Sequence, residues 1–168
     1  MTSETAIPLT EFDAEMASTR RLLERIPADR GDWKPHPKSF PLGHLAQLVS
    51  WMPGWIARTL REPHIDLSGV AGYSMEKTAT LVEGFDRNVA DARAALEFVT
   101  GPQLEAPWSL KRGDMVLMTG KKGEMARAHL NHLIHHRGQL TVYARLVDVP
   151  LPMIYGPTAD EQWKMPPS

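Results

Sequence analysis

Histidine is the residue type in this chain with the clearest potential for chemistry, because four of the seven histidines fall between positions 129 and 136. On a helix, His132 and His136 lie one turn apart and project from the same side. His129 shares that side, since it is rotated from His136 by only about 20°. Imidazole nitrogen is a good ligand for zinc, nickel, copper or iron, so the cluster favours a metal site.

The apolar pattern around the cluster predicts that His132 and His136 face the interior of the fold. The predicted core stripe of this helix consists of Met125, Leu133, Leu140, Tyr143 and Val147. Burying an imidazole without a partner costs about 2 kcal/mol or more. A bound metal ion would offset that cost, as would a hydrogen bond between the two rings or to a carboxylate.

A third histidine stands on the apolar side of another predicted helix. His44 is in line there with Leu48, Trp51 and Trp55. One imidazole from this helix and two from the other give three nitrogen ligands and leave coordination positions open, which is typical of catalytic rather than structural zinc sites. We therefore predict that His44, His132 and His136 bind a divalent metal ion.

The remaining histidines are weaker candidates. His129 competes with His132 for the ligand role, and its place on the helix leaves that alternative open. His36 and His64 lie in proline-containing loops, where solvated histidines are usual, and His135 is expected at the surface.

Proline and glycine divide the chain into about four helical blocks that would position these residues. The first is predicted from about Thr10 to Pro27. The second begins near Ser39, carries His44 and is kinked at Pro53. The third opens at Ser74 to Lys77 and ends near Gly101, and the fourth runs from about Gly123 to Val147 with the histidine cluster.

The other segments are less regular. Trp108 to Met118 is predicted as either a small hairpin or an extended loop. From about residue 150 the chain is a proline-rich tail without long regular structure. We therefore predict an all-α fold, a helix bundle that forms one domain over residues 1–168.

Composition excludes several classes of function. The chain has no cysteine, so disulfides, thiolate ligands and a cysteine nucleophile are absent. A formal net charge of -1 gives no electrostatic reason to expect nucleic acid or an anionic membrane as a partner. No signal peptide or membrane span is evident, which favours a cytoplasmic protein.

The cluster also resembles a known motif. His132 to Leu140 reads His-Leu-Ile-His-His-Arg-Gly-Gln-Leu and is similar to the His-x3-His-Arg-Gly-Gln motif of the DinB-like superfamily, named after a DNA-damage-inducible protein. Leu42 to Ala46, around His44, resembles the upstream histidine of that family. Val149-Pro150 and Tyr155 to Pro157 also match.

The resemblance implies a four-helix bundle with a long connection, usually a homodimer, with His44, His132 and His136 as metal ligands. Characterised enzymes of the superfamily use low-molecular-weight thiols, as bacillithiol transferases and mycothiol-dependent isomerases do. It thus implies a zinc- or nickel-dependent S-transferase acting on a small-molecule substrate. The alternatives are a metal-dependent hydrolase, a non-enzymatic bundle that binds metal or a small molecule, and a metal-free dimerising bundle.

Several neighbours of the histidines are assigned minor roles. Trp51, Trp55 and Tyr143 are candidate pocket walls, although aromatic residues at helical spacing more often form plain core. Arg137 and Arg145 are expected in exposed salt bridges rather than in substrate binding.

Overall fold

The structure, a computed structural model, describes residues 7–70, 72–74 and 77–163. Its helices are α1 (Leu9–Leu23), α2 (Leu42–Arg61), α3 (Thr78–Phe98), α4 (Gly101–Glu105) and α5 (Lys122–Leu146), with a 3-10 turn at Ala28–Arg30. Its strands are β1 (His64–Asp66), β2 (Pro107–Arg112) and β3 (Met115–Lys121). The described chain is therefore mostly helical, as predicted.

The three strands correct the prediction of an all-α fold. They form one sheet in the order β1-β2-β3, in which β1 runs parallel to β2 and β3 antiparallel to it. The segment Trp108 to Met118 is thus a hairpin, and Gly113, with φ of 58°, supplies the positive φ of its turn. Asp66 accepts hydrogen bonds from the backbone N–H groups of Ser68 and Gly113, which ties β1 to that turn.

The helices occupy nearly the predicted segments. α1 ends at Leu23, before Pro27, and α5 starts one residue before the predicted Gly123 and ends one before Val147. α2 begins after Pro41 rather than at Ser39, because Pro41 ends the extended segment and takes the N-cap position. The predicted opening of α3 includes Glu76, which lies outside the described residues.

Helix α2 lies at the centre of the fold and packs mainly on α3 and α5. Its interior positions are filled by apolar side chains that are almost fully buried: Leu42, Leu45, Val49, Met52, Ile56 and Leu60. At 25 cal/mol per Å², burial of such side chains stabilises the folded state by about 1.5–3 kcal/mol each. The core therefore holds α2 and α5 side by side, and these are the helices that carry the candidate ligands.

A buried arginine joins α5 to α1. The Arg137 side chain is 2% exposed, and its Nη2 lies 2.6 Å from Oε2 of Glu15, which is 12% exposed. Arg137 also donates to the Glu15 carbonyl, to Ser18 Oγ and to Thr19 Oγ1. The prediction of an exposed salt bridge for Arg137 is therefore wrong.

The described part of the tail, residues 151–163, lies without helix or strand, as predicted, and is held by polar contacts. Tyr155 Oη accepts from Arg137 Nη2 at 2.8 Å and donates to Glu15 Oε1 at 2.9 Å. Glu161 pairs with Arg21 on α1 and with Arg25 just beyond its end, and it accepts from the Met153 backbone N–H. The tail is thereby fixed to the face that α1 presents.

Among the described residues, no helix combines the length and the apolar character needed to cross a membrane.

Candidate functional site

Helix α5 brings His132 and His136 into direct contact. Their Nε2 atoms are 2.8 Å apart, and their ring centroids are separated by 4.6 Å. His132 is exposed and His136 is half-buried, so the prediction that both face the interior is wrong. The buried face of α5 is centred on Leu130, Leu133, Arg137 and Leu140, and the histidine pair lies along its edge.

Gln139 defines the hydrogen-bonding state of this pair. Its Oε1 lies 2.7 Å from Nδ1 of His136, and an amide oxygen only accepts, so Nδ1 carries the proton. In a neutral His136 ring, Nε2 then presents a lone pair and accepts from the His132 Nε2–H group. Partial desolvation is the largest cause that lowers the pKa of His132, and the nearby His136 and His135 lower it further. The lowered pKa also favours the neutral form of His132.

His44 is the third predicted ligand and comes from the first turn of α2. Its half-buried ring packs against Tyr73, with centroids 3.5 Å apart, and against Phe40 at 4.3 Å. Phe40 in turn lies 6.5 Å from the His136 ring. The Nε2 atom of His44 is buried and has no hydrogen-bond partner in the described part of the chain, and burial lowers the pKa of the imidazole.

The imidazole nitrogens of this region are suitable metal ligands, but only two of the three predicted ligands lie together in the structure. His44 offers a buried, unpartnered nitrogen, and Gln139 leaves a lone pair on His136. Within residues 7–70, 72–74 and 77–163, no three histidine, aspartate or glutamate side chains are close enough together to hold one ion. His132 and His136 are therefore brought together, and His44 lies near them without completing a three-ligand set.

His129 occupies a different environment from the pair. Its ring lies between Trp55, at 5.8 Å, and Trp108, at 5.9 Å. Burial, and to a smaller extent the charge of His132, lowers its pKa to about 4. Its buried Nε2 has no hydrogen-bond partner among the described residues. This histidine is thus neutral at pH 7 and belongs to the wall of a cavity.

That cavity adjoins the histidine pair and has a volume of about 530 Å³. It lies between α2, α5 and the sheet, and its lining includes Trp51, Trp55, Trp108, Met118, His129 and His132. The predicted pocket walls Trp51 and Trp55 are part of this lining. Tyr143 is not, because its ring packs edge-on against Trp33, 5.9 Å away.

The helical spacing in the sequence does not identify Trp108 as a site residue, because Trp108 lies on a strand, β2. Recognition of the hairpin would have been needed to place Trp108 beside α5. Of the other histidines, His36 is exposed and His64 begins β1. His135 is exposed, and its ring lies 5.0 Å from that of His136. Arg145 forms its ion pair with Asp160 of the tail, in agreement with the expected exposed salt bridge.

The fold is similar to two solved DinB-like structures. Over 92% of this chain and 96% of the other, it matches a DinB-like protein from Bacillus subtilis with a TM-score of 0.65 and 21% identity. Over 88% and 95% respectively, it matches a DinB-like protein from Bacillus cereus with a TM-score of 0.68 and 20% identity. At these identities the likeness defines the fold class only.

The family follows from the sequence comparison, in which the model of the DinB family matches residues 1–165. This chain belongs to the DinB family, which confirms the resemblance seen in the histidine motif. No curated protein matches it significantly.

Proposed function

We propose that this protein is a divalent-metal-dependent enzyme that transfers a low-molecular-weight thiol to an electrophilic substrate. His44, His132 and His136 would hold the metal, with zinc or nickel the best suited to three imidazoles. The observation that carries the proposal is the convergence of His132 Nε2 and His136 Nε2 to 2.8 Å, with Gln139 holding the proton of His136 on the far nitrogen.

Each histidine would contribute a neutral imidazole in the proposed site. On metal binding, the hydrogen bond between His132 and His136 would be lost and the His132 proton would move from Nε2 to Nδ1, which frees the Nε2 lone pair for the ion. The pKa values of His44 and His132 are lowered, mainly by burial, so protons compete weakly for their lone pairs at neutral pH. Gln139 orients the His136 ring as outer hydrogen-bond partners orient metal-binding histidines elsewhere. A common ion would require His44 to approach the pair, and its unpartnered Nε2 gives it no hydrogen bond to lose.

Held by the neutral imidazoles of His44, His132 and His136, a metal ion would keep its positive charge and would favour the thiolate form of a thiol well below the free thiol pKa of about 8.5. The chain has no cysteine, so the thiol must belong to the cosubstrate. Next to the pair, the indole rings of Trp51, Trp55 and Trp108 provide an apolar space in which water competes poorly with a substrate. We further propose a homodimer, as the family resemblance implies, and a cytoplasmic location.

Metal content is the first test. Untagged protein, purified without a nickel column, is expected to carry about one zinc or nickel ion per chain by elemental analysis. His136→Ala should abolish tight binding, whereas the matched His129→Ala variant should keep a stoichiometry near one. Loss of metal from the His129 variant alone would place the site one turn earlier on α5.

Turnover is the second test. Metal-loaded protein should accelerate conjugation of bacillithiol, mycothiol or glutathione to a small electrophile at neutral pH, and chelation should remove the effect. Hydrolysis of esters or amides without any use of thiols would identify a hydrolase. Metal binding with neither reaction would identify a binding protein, and protein that carries no metal and takes up none would leave the metal-free bundle.

A further inference from the structure

The cavity beside His132 is lined by Trp108, whose side chain carries a buried hydrogen-bond donor. Trp108 is 3% exposed, and among the residues that the structure describes its buried indole Nε1 has no hydrogen-bond partner. An indole N–H can only donate, and leaving such a group unpaired costs about 1–3 kcal/mol. We propose that this cavity binds a flat aromatic molecule carrying one hydrogen-bond acceptor, such as an aryl carbonyl compound, and that Trp108 Nε1 donates to that acceptor.

The shape and lining of the cavity support an aromatic ligand. Its volume of about 530 Å³ falls within the range of small-molecule sites, about 300–1,000 Å³. Trp51 and Trp55 come from α2, and Trp108 comes from β2, so indole rings enclose the space from two sides. Aromatic rings bind other rings favourably in offset or edge-on contacts, which a flat molecule can satisfy here.

A second buried polar atom lies in the same wall. The ring of His129 stands edge-on to that of Trp108, with centroids 5.9 Å apart and an angle of 82° between the planes. Its Nε2 is also buried, again with no hydrogen-bond partner within the described ranges. The lining is mostly apolar but also includes Arg58, Tyr73 and His132. A few polar groups in a mostly apolar wall are the arrangement that fixes the orientation of a ligand.

This inference deepens the proposed function, because His132 lines both the cavity and the proposed metal site. The aromatic molecule would be the electrophilic substrate, bound next to the metal-held thiol. Recognition by Trp108 itself requires no metal. Binding can therefore be measured on metal-free protein, where failure of the metal proposal leaves the result unaffected.

The test compares 2-acetonaphthone with 2-ethylnaphthalene, which have similar size but differ in the carbonyl acceptor. Chelator-treated protein should bind the ketone about tenfold more tightly, equivalent to about 1.4 kcal/mol. In ¹⁵N–¹H spectra, the Trp108 indole resonance should move downfield with the ketone only. Trp108→Phe keeps the apolar ring and removes the donor, so it should bring the two affinities within about twofold.

A second pair of variants tests the location without touching the buried wall. Ala128 is exposed and lines the cavity, and Ala128→Phe should weaken both compounds at least tenfold by occupying the space. Val142→Phe adds a ring to an exposed position elsewhere on α5 and should leave both affinities unchanged. Equal affinities of the wild-type protein for the two compounds, or an Ala128→Phe variant that binds normally, would overturn the proposal.

Discussion

Replacing Arg137 with methionine tests whether the buried ion pair between α5 and α1 controls the stability of the fold. Methionine preserves the length and apolar stem of the side chain but removes the guanidinium. The Glu15 carboxylate then remains 12% exposed without its cation, and the Glu15 carbonyl, Ser18 and Thr19 lose a donor. Tyr155 of the tail loses one as well.

The expected loss of stability follows from this geometry. Removing one partner of a buried ion pair costs about 3–5 kcal/mol, because the remaining charge is left desolvated. A domain of this size is stable by about 5–15 kcal/mol, so Arg137→Met should remove a large share of the total. Glu15→Gln should cost about 2–4 kcal/mol for the same reason, since it leaves Arg137 buried without a counter-charge.

Urea denaturation of metal-free protein, followed by tryptophan fluorescence, measures these free energies of unfolding. The double variant Arg137→Met, Glu15→Gln should be less destabilised than the sum of the single variants by about 1–3 kcal/mol. Arg93→Met serves as the control, because Arg93 also joins two helices, through Asp13, but both side chains are more than 40% exposed. That variant should lose less than about 1 kcal/mol.

An Arg137→Met variant that loses no more stability than Arg93→Met would refute the reasoning, as would simple additivity in the double variant. Either result would mean that the pair is solvated in solution and does not connect α5 to α1.

Two further predictions concern close packing and acid sensitivity. A Cβ on Gly54 would lie 2.9 Å from Asn88 Oδ1, so Gly54→Ala should lower the free energy of unfolding by about 1 kcal/mol in the same urea assay. A Cβ on Gly84 has its nearest contact at 3.8 Å, so Gly84→Ala should raise that free energy by up to about 1 kcal/mol. A gain in stability for both variants would contradict the packing argument. Hydrogen bonds from the Met153 backbone N–H, Arg21 and Arg25 lower the pKa of Glu161 from 4.5 to about 2. The ionised Glu161 carboxylate therefore contributes fully to stability above pH 4.5, and this contribution is lost as the pH falls through 2. Carboxyl ¹³C NMR should give a midpoint near 2 that rises in the Arg25→Gln variant, and a midpoint near 4.5 in the wild-type protein would show that the tail contacts do not form.

The sequence by itself determined the family, the mostly helical fold and the positions of the long helices. These follow from local signals: apolar residues at helical spacing, interrupted by residues such as Pro27 and Pro150, define each segment without knowledge of its neighbours. The His132 and His136 contact was predictable for the same reason, because residues four apart on one helix are adjacent whatever surrounds the helix. For the segment from Trp108 to Met118, the local pattern did not distinguish a hairpin from an extended loop.

The tertiary structure decided how far the buried face of α5 extends around the helix. The apolar pattern alone placed the core stripe through Leu133, Leu140 and Val147, which are buried, and through Met125 and Tyr143, which are partly buried. The same pattern treated Arg137 as exposed. Glu15 and Tyr155, 122 and 18 residues away in the chain, supply partners that make burial of Arg137 possible and turn the helix so that His132 lies at the edge. A charge is buried only where long-range contacts compensate its desolvation, and those contacts leave no periodic trace in the sequence. The cavity depends on the same kind of information, because Trp108 meets α5 only through the pairing of β2 with β1 and β3.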